Sequence, residues 1–327
     1  MQDYQHIIEG AAIGEVAATA QLAVAGNDRA SFLQGLLTNE VQALKAGEGC
    51  YAAWLTPQGR MLTDMHLLES DGMMLLDVPA SQAEATLARL DQFLFSEDVK
   101  LGSLAGALTS VWVHGPAAAA ALERSLDGAS GLGAWVQYHH EHVGFAGESL
   151  VLARIDQLGV PGFCAYLSAA NRGALIAALE AAGARQVSPE AIAAARIEAA
   201  YPIFGTDMTA DTIPLEAGIE PRAISTTKGC YVGQEVIIRV LHRGHGRVAR
   251  RLVTLRLDGA DGVEPRAKIT NGDRDAGFVT SIAVSPASGT IALGYVHRDA
   301  AVDGARVEVE TASGRVPATV SVQPLRA

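Results

Sequence analysis

An α+β body closed by a small antiparallel β-barrel is the fold class this sequence predicts, and three observations carry the prediction. Runs with helical spacing and runs with strand spacing interleave over the first three quarters of the chain. From about residue 247 helical spacing gives way to short β-rich runs separated by Gly-containing dipeptides. The 327 residues are 49% hydrophobic and 19% charged, enough apolar material for two domains, expected at 1–246 and 247–327.

The first expected strand is Glu15 to Val24, followed by a turn and cap at Gly26-Asn27-Asp28 and a helix from Arg29 to Leu37, whose apolar positions are Phe32, Leu33, Leu36 and Leu37. Tyr51 to Leu55 and Met61 to Leu68 read as strands joined by the turn Thr56-Pro57-Gln58-Gly59. Ser81 to Phe95 reads as a helix with Ser81 as its cap. A strand near Ser110 to His114, a helix from Pro116 to Leu126 and strands near Leu150 to Ile155 and Gly162 to Leu167 come next. The helix Asn171 to Ala182 ends at Gly183, and Ser188-Pro189 opens another. The terminal β-rich runs are Leu252 to Leu257, Ala276 to Val284, Thr290 to Tyr295, Ala305 to Glu310 and Val316 to Val322, with hairpin dipeptides such as Asn271-Gly272 and Asp303-Gly304 between them.

Charge and cysteine usage narrow the function. A net charge of -11 opposes nonspecific binding to nucleic acid or to an anionic membrane. The window 222–251 runs against that average, with Arg222, Lys228, Arg239, Arg243, Arg247, Arg250 and Arg251 facing Glu235 alone; it carries +6 and the rest of the chain -17. Such a strip suits an anionic ligand or a partner surface, or pairs with the surrounding carboxylates. Cys50, Cys164 and Cys230 are far apart and form no C-x-x-C pair, which fits neither a disulfide framework nor a four-cysteine iron–sulfur site. The run His139-His140-Glu141-His142 lacks a matching distant ligand, so no metal is expected. With no basic n-region at the start and no long uncharged apolar stretch, the chain reads as cytoplasmic and without a membrane span.

The most informative stretch is Lys228-Gly229-Cys230-Tyr231-Val232-Gly233-Gln234-Glu235. Val236, Ile237, Val240 and Leu241 stand at helical spacing after it, with Gly244 as a stop. Cys230 is therefore expected just before a helix N-terminus with Lys228 nearby, and both influences favour a thiolate. The commoner fate of a free cysteine, a small buried hydrophobe, stands beside that reading.

This segment resembles the signature of the YgfZ family, folate-binding proteins related to the glycine-cleavage T protein, an aminomethyltransferase. Phe32-Leu33-Gln34-Gly35-Leu36-Leu37-Thr38-Asn39, Leu55-Thr56-Pro57-Gln58-Gly59-Arg60-Met61, Arg196-Ile197-Glu198, Gly205-Thr206-Asp207 and Ile213-Pro214-Leu215-Glu216-Ala217-Gly218 agree in the same order. The resemblance implies a ring of α+β modules around a central channel, closed by a C-terminal barrel, with tetrahydrofolate in the channel. It also implies that Glu198 holds the pterin and that Asp64 lies close to the reactive folate nitrogens. The T protein often has two adjacent acids where this chain has Thr63 and Asp64, a departure that counts against aminomethyl transfer.

Trp54 is a candidate platform for the folate rings, with a core role as the alternative, and Lys228 and Arg239 are assigned to the anionic ligand or to tuning Cys230. Cys230 and Asp64 are the expected catalytic groups. The function implied first is a folate-dependent accessory that supports assembly or repair of iron–sulfur clusters in client enzymes, including enzymes that modify tRNA. Its partners would be those clients or assembly proteins, and direct nucleic-acid binding is not expected. The alternatives are a one-carbon transferase using tetrahydrofolate as acceptor and a noncatalytic scaffold that docks protein or tRNA through Arg243, Arg247 and Arg250.

Overall fold

A computed structural model describes residues 1–243, 246–259 and 262–326. Two sheets make the body. The first runs Gly49–Leu55, Met61–Ser70, Met73–Pro79, Thr19–Ala25, Lys100–Ser103, every neighbour antiparallel. The second runs Arg185–Gln186, Ala12–Ile13, Leu108–His114, Gly162–Ser168, Glu148–Arg154, His140–Phe145. Only its first pair is parallel.

Each sheet buries one face under its own helices. Arg29–Leu36 and Ala83–Gln92 cover the first through Phe32, Leu33, Leu36 and Leu90, which meet Ala52, Trp54, Met65 and Leu67. Ala118–Ser125 and Arg172–Ala181 cover the second through Leu122, Leu175 and Leu179. The opposite faces meet each other through Leu68 and Leu75 of the first and Trp112, Cys164 and Tyr166 of the second. A strand with apolar residues on both faces reads as a continuous apolar run, which is why Tyr51 to Leu55 shows no alternation in sequence.

Six antiparallel strands from Arg250–Leu257 to Gly314–Ser321 close into a barrel around Leu255, Ile269, Val279, Val296 and Val309. The predicted α+β body with a C-terminal barrel is thus the fold observed. Ser188 caps Pro189–Glu198 as predicted, its Oγ accepting from the Ala191 amide at 3.4 Å. The helix expected from Ser81 to Phe95 is shorter; it covers Ala83–Gln92, and Ser81 lies in a preceding 3-10 turn without capping it. Strand Met73–Pro79 escaped the sequence reading although Asp71-Gly72, with φ of 46° and 88°, is a hairpin dipeptide between two apolar runs. No described helix is long and apolar enough to cross a membrane.

Candidate functional site

A cavity of about 320 Å³ opens beside the inner face of the first sheet, lined by Val16, Ala17, Ala18 and Thr19, by Tyr51, Asp64, His66, Asp77 and Gln157, and by Tyr201 to Thr206. The sheet register builds its floor. Tyr51 stands opposite His66, His66 opposite Asp77 and Asp77 opposite Gln21, so four neighbouring strands each contribute one polar residue to a single row. All four are buried. Gln21 Nε2 donates to Asp77 Oδ1 at 2.8 Å, and the Asp77 Oδ2 atom lies 3.6 Å from His66 Nδ1.

Asp64 lies beside this row, paired with Ala53 across the strands. Its Oδ2 accepts the Tyr51 hydroxyl at 2.5 Å. Burial raises the Asp64 pKa; the Tyr51 hydrogen bond and the nearby His66 and Arg222 charges pull the other way. Burial and the Asp64 charge hold the Tyr51 phenol well above its ordinary value. The Arg222 guanidinium lies 4.0 Å from the Tyr201 ring centroid and 4.9 Å from that of Tyr51.

Arg222 is positioned by the segment after helix Arg29–Leu36. Thr38 Oγ1 donates to the Ala223 carbonyl at 2.6 Å, and Asn39 Nδ2 donates to the carbonyls of Tyr51 and Arg222 at 2.9 and 3.0 Å. Several polar atoms in this neighbourhood are nevertheless buried without a partner: His66 Nε2, Asp77 Oδ2, Gln157 Oε1, and Arg222 Nε and Nη2. Native interiors rarely leave such groups unpaired, because each costs about 1–3 kcal/mol.

Of the predicted site residues, Asp64 alone lines this cavity. Glu198 is 1% exposed and already saturated: Oε2 accepts Tyr4 Oη at 2.6 Å, and Oε1 accepts Ser288 Oγ at 2.9 Å and a shorter bond from Ser285 Oγ. In this arrangement Glu198 fastens the body to the barrel and does not line the cavity. Trp54 faces the helix side, 6.1 Å from Phe93; strand alternation sends Tyr51 to the cavity and Trp54 to the core. Lys228 Nζ donates to the carbonyls of Gln34, Leu37 and Asn39 at 2.7, 2.7 and 2.8 Å, although burial pushes its pKa down to about 8. That ammonium bolts the cysteine loop to a helix end.

Cys230 is exposed, and neither it nor the exposed Arg239 lines the cavity. The helix after the motif is only Gln234–Ile238, begun by Gly233, followed by the wider turn Arg239–Arg243. Gly233 has φ +84°, and a Cβ there would stand 2.5 Å from the Thr56 carbonyl; Gly59 has φ +74° and meets Val236 as closely as 2.9 Å. The motif loop and the Thr56 to Gly59 turn thus approach backbone to backbone, which fixes these two glycines. Gly244 and His245 lie outside the described residues, as do the side chains of His242 and Arg243.

The basic window divides rather than forming one strip. Lys228 is buried and Arg222 half-buried, Arg250 Nη2 bonds the Asp211 carbonyl and Glu216, and Arg239, Arg247 and Arg251 are exposed. In the histidine run, His140 Nε2 pairs with the Glu69 carbonyl at 2.9 Å and His142 Nε2 with Ser70 Oγ at 2.7 Å. No group of three His, Cys, Asp or Glu is placed for a metal among the described residues. Sequence reasoning missed Tyr51, His66, Asp77 and Gln157 and placed Arg222 in a basic strip for an anionic ligand or a partner surface rather than between two tyrosine rings. The available signal was the pair Asp64 and His66, two polar residues at strand period within an apolar run.

Comparison with known proteins covers nearly the whole chain. Residues 1–228 match the GCVT N-terminal domain, and residues 250–325 match the glycine cleavage T-protein C-terminal barrel domain. An aminomethyltransferase of Thermosynechococcus vestitus is 28% identical over 99% of this chain and 87% of its own length. One from Geobacillus kaustophilus is 28% identical, covering 98% of this chain and 88% of its own. The crystal structure of the glycine cleavage system aminomethyltransferase T from Bartonella henselae superposes with a TM-score of 0.86 at 23% identity, covering 99% of this chain and 88% of that one, a likeness of fold.

Proposed function

The chain belongs to the glycine-cleavage T-protein family, and on that premise we propose that the Asp64 cavity binds tetrahydrofolate and that the protein is a folate-dependent aminomethyltransferase or a close one-carbon transferase. The observation that carries this reading is the concentration of unpaired buried donors and acceptors around the cavity beside two tyrosines and a guanidinium. A flat heteroaromatic ligand with N–H and amino groups along one edge meets those needs. A pterin is such a ligand, and its donors match a carboxylate side by side.

Tetrahydrofolate, when bound, supplies the nitrogen that accepts the one-carbon unit. The chain's own residues do the rest. Asp64 holds or moves a proton at its carboxylate, whose pKa burial raises above the ordinary carboxyl value. Tyr51 fixes Oδ2 by its hydroxyl and leaves Oδ1 for the ligand edge. Arg222 holds the Tyr51 and Tyr201 rings, while Pro202, Ile203 and Phe204 shield the cavity from water. Calorimetric titration of the purified protein with tetrahydrofolate tests the reading, followed by detection of 5,10-methylene-tetrahydrofolate after addition of an aminomethyl donor. Failure of the unmodified protein to bind tetrahydrofolate would sink the proposal.

Cys230 favours a second reading. Aminomethyl transfer gives it no task, yet it stands exposed in a loop held by Lys228 and by the Gly233 approach. In a YgfZ-type accessory of iron–sulfur assembly the thiol would be the group that meets a client. That reading expects Cys230→Ala to keep its fold and folate affinity while client-enzyme activity in cells falls. Full complementation by the variant removes the thiol from the function and leaves the transferase.

A further inference from the structure

The body and barrel meet at a second buried network, centred on Asp207. Its Oδ2 accepts Arg196 Nη1 at 2.6 Å and the Ile203 amide at 3.1 Å. Its Oδ1 accepts Thr280 Oγ1 and Ser281 Oγ, both at 2.6 Å. Arg196 completes the set by donating Nη1 to the Tyr201 carbonyl and Nη2 to Ser281 Oγ, each at 2.9 Å. Arg196, Asp207, Thr280 and Ser281 are all buried.

Two adjacent strand residues ordinarily point to opposite faces, so Thr280 and Ser281 could not both reach one oxygen of a regular strand's neighbour. The barrel solves this with a bulge. Strand Arg274–Ser285 pairs Val279 with Gly294 and Ser281 with Leu293, which leaves Thr280 as the extra residue. A bulge re-aims a side chain, and here it turns two consecutive hydroxyls to the same carboxylate.

We propose that this bulge is a positioning device for the ligand cavity: Thr280 and Ser281 of the barrel, acting through Asp207 and Arg196, set the wall formed by Tyr201 to Thr206. The network holds two backbone atoms of that wall, the Tyr201 carbonyl and the Ile203 amide. Between and after them lie the residues that line the cavity, and Tyr201 is the ring nearest the Arg222 guanidinium. The barrel thereby shapes a site to which Thr280 and Ser281 do not themselves belong. The inference concerns the wall's geometry and rests on the folate reading only for the identity of the ligand.

Hydrogen exchange of the full-length protein tests it without any ligand. In Thr280→Val/Ser281→Ala, the amides of Tyr201 and of 203–206 should exchange about tenfold faster or more, as expected for loss of about one hydrogen bond's worth of protection. Amides of strands Gly49–Leu55 and Met61–Ser70 should keep their rates, and Thr280→Ser, which retains the hydroxyl, should match the unmodified protein. Unchanged exchange at 201–206, or acceleration spread evenly through body and barrel, would overturn the proposal. A tetrahydrofolate titration adds the second readout, with affinity expected to fall in the double variant and return in Thr280→Ser. If the unmodified protein fails to bind folate while exchange at 201–206 responds as stated, the ligand assignment falls and the clamp stands; if folate binds equally to all three proteins, the clamp does not govern the site.

Discussion

The cavity floor and the body–barrel seam contain the same kinds of residue in opposite states. Both bury carboxylates and arginines, yet at the seam every oxygen of Glu198 and Asp207 has a protein partner, whereas His66, Asp77, Gln157 and Arg222 at the cavity keep unpaired atoms. Saturation marks a fastening. Unmet hydrogen bonds beside an open cavity leave room for a ligand to meet them, whereas those of His114 Nδ1 and Arg326 Nε lie away from it. Glu198, which carries the resemblance to a pterin ligand, sits at the seam, while Asp64 lines the cavity.

The strongest attempt to break this division is Glu198→Ala. It should strand Tyr4, Ser285 and Ser288 and cost about 3 kcal/mol of stability, read as a lower denaturant midpoint, with tetrahydrofolate affinity per folded molecule retained. A variant that keeps its midpoint and loses folate would return Glu198 to the site.

Asp64→Asn is the converse. Losing a charged hydrogen-bond partner should weaken tetrahydrofolate binding by roughly tenfold to a hundredfold. The pH sign sharpens the contrast: a carboxyl raised by burial contributes most stability below its unfolded pKa, and that contribution is lost as pH rises through the folded value. At neutral pH the asparagine variant should therefore melt no lower than the unmodified protein. A lower melting temperature at pH 7 would make Asp64 a fastening after all.

Arg222→Lys keeps the charge and removes the planar group between the Tyr51 and Tyr201 rings; an affinity loss of about tenfold is expected by titration. The smallest effect concerns His114, whose Nε2 pairs with the Gly14 carbonyl at 3.0 Å while Nδ1 has no partner. Burial pushes its pKa down to about 4, so its contribution is present above the unfolded value near 6.5 and is lost as pH falls toward 4. Denaturant midpoints of His114→Gln should drop less between pH 7 and pH 5 than those of the unmodified protein. Equal drops would mean that another group governs acid sensitivity.

Most of the fold was legible because local rules settle it: the Ser188-Pro189 start, the Thr56 to Gly59 turn and the glycine-punctuated barrel all depend on near neighbours. The site was only partly legible. Asp64 came from resemblance, but whether Tyr51 or Trp54 faces the ligand depends on which side of the sheet receives the helices, and that is decided by packing with distant residues. Arg222 was hidden for the same reason: as a letter it belongs to a basic strip, and only the Thr38 and Asn39 contacts bring it between the two tyrosine rings. Lys228 shows the reverse, a charge that the cysteine motif advertises and that three carbonyls consume.

Glu198 also ties together residues from the two extremes of the sequence. Its side chain accepts Tyr4 and its backbone carbonyl accepts the Leu325 amide at 2.8 Å. During synthesis on the ribosome, Tyr4 emerges first and waits for a helix made much later, and the seam stays open until Thr280, Ser281, Ser285 and Ser288 leave the exit tunnel. The body must therefore persist with its barrel face uncovered while the strands from Arg250–Leu257 to Gly314–Ser321 are made.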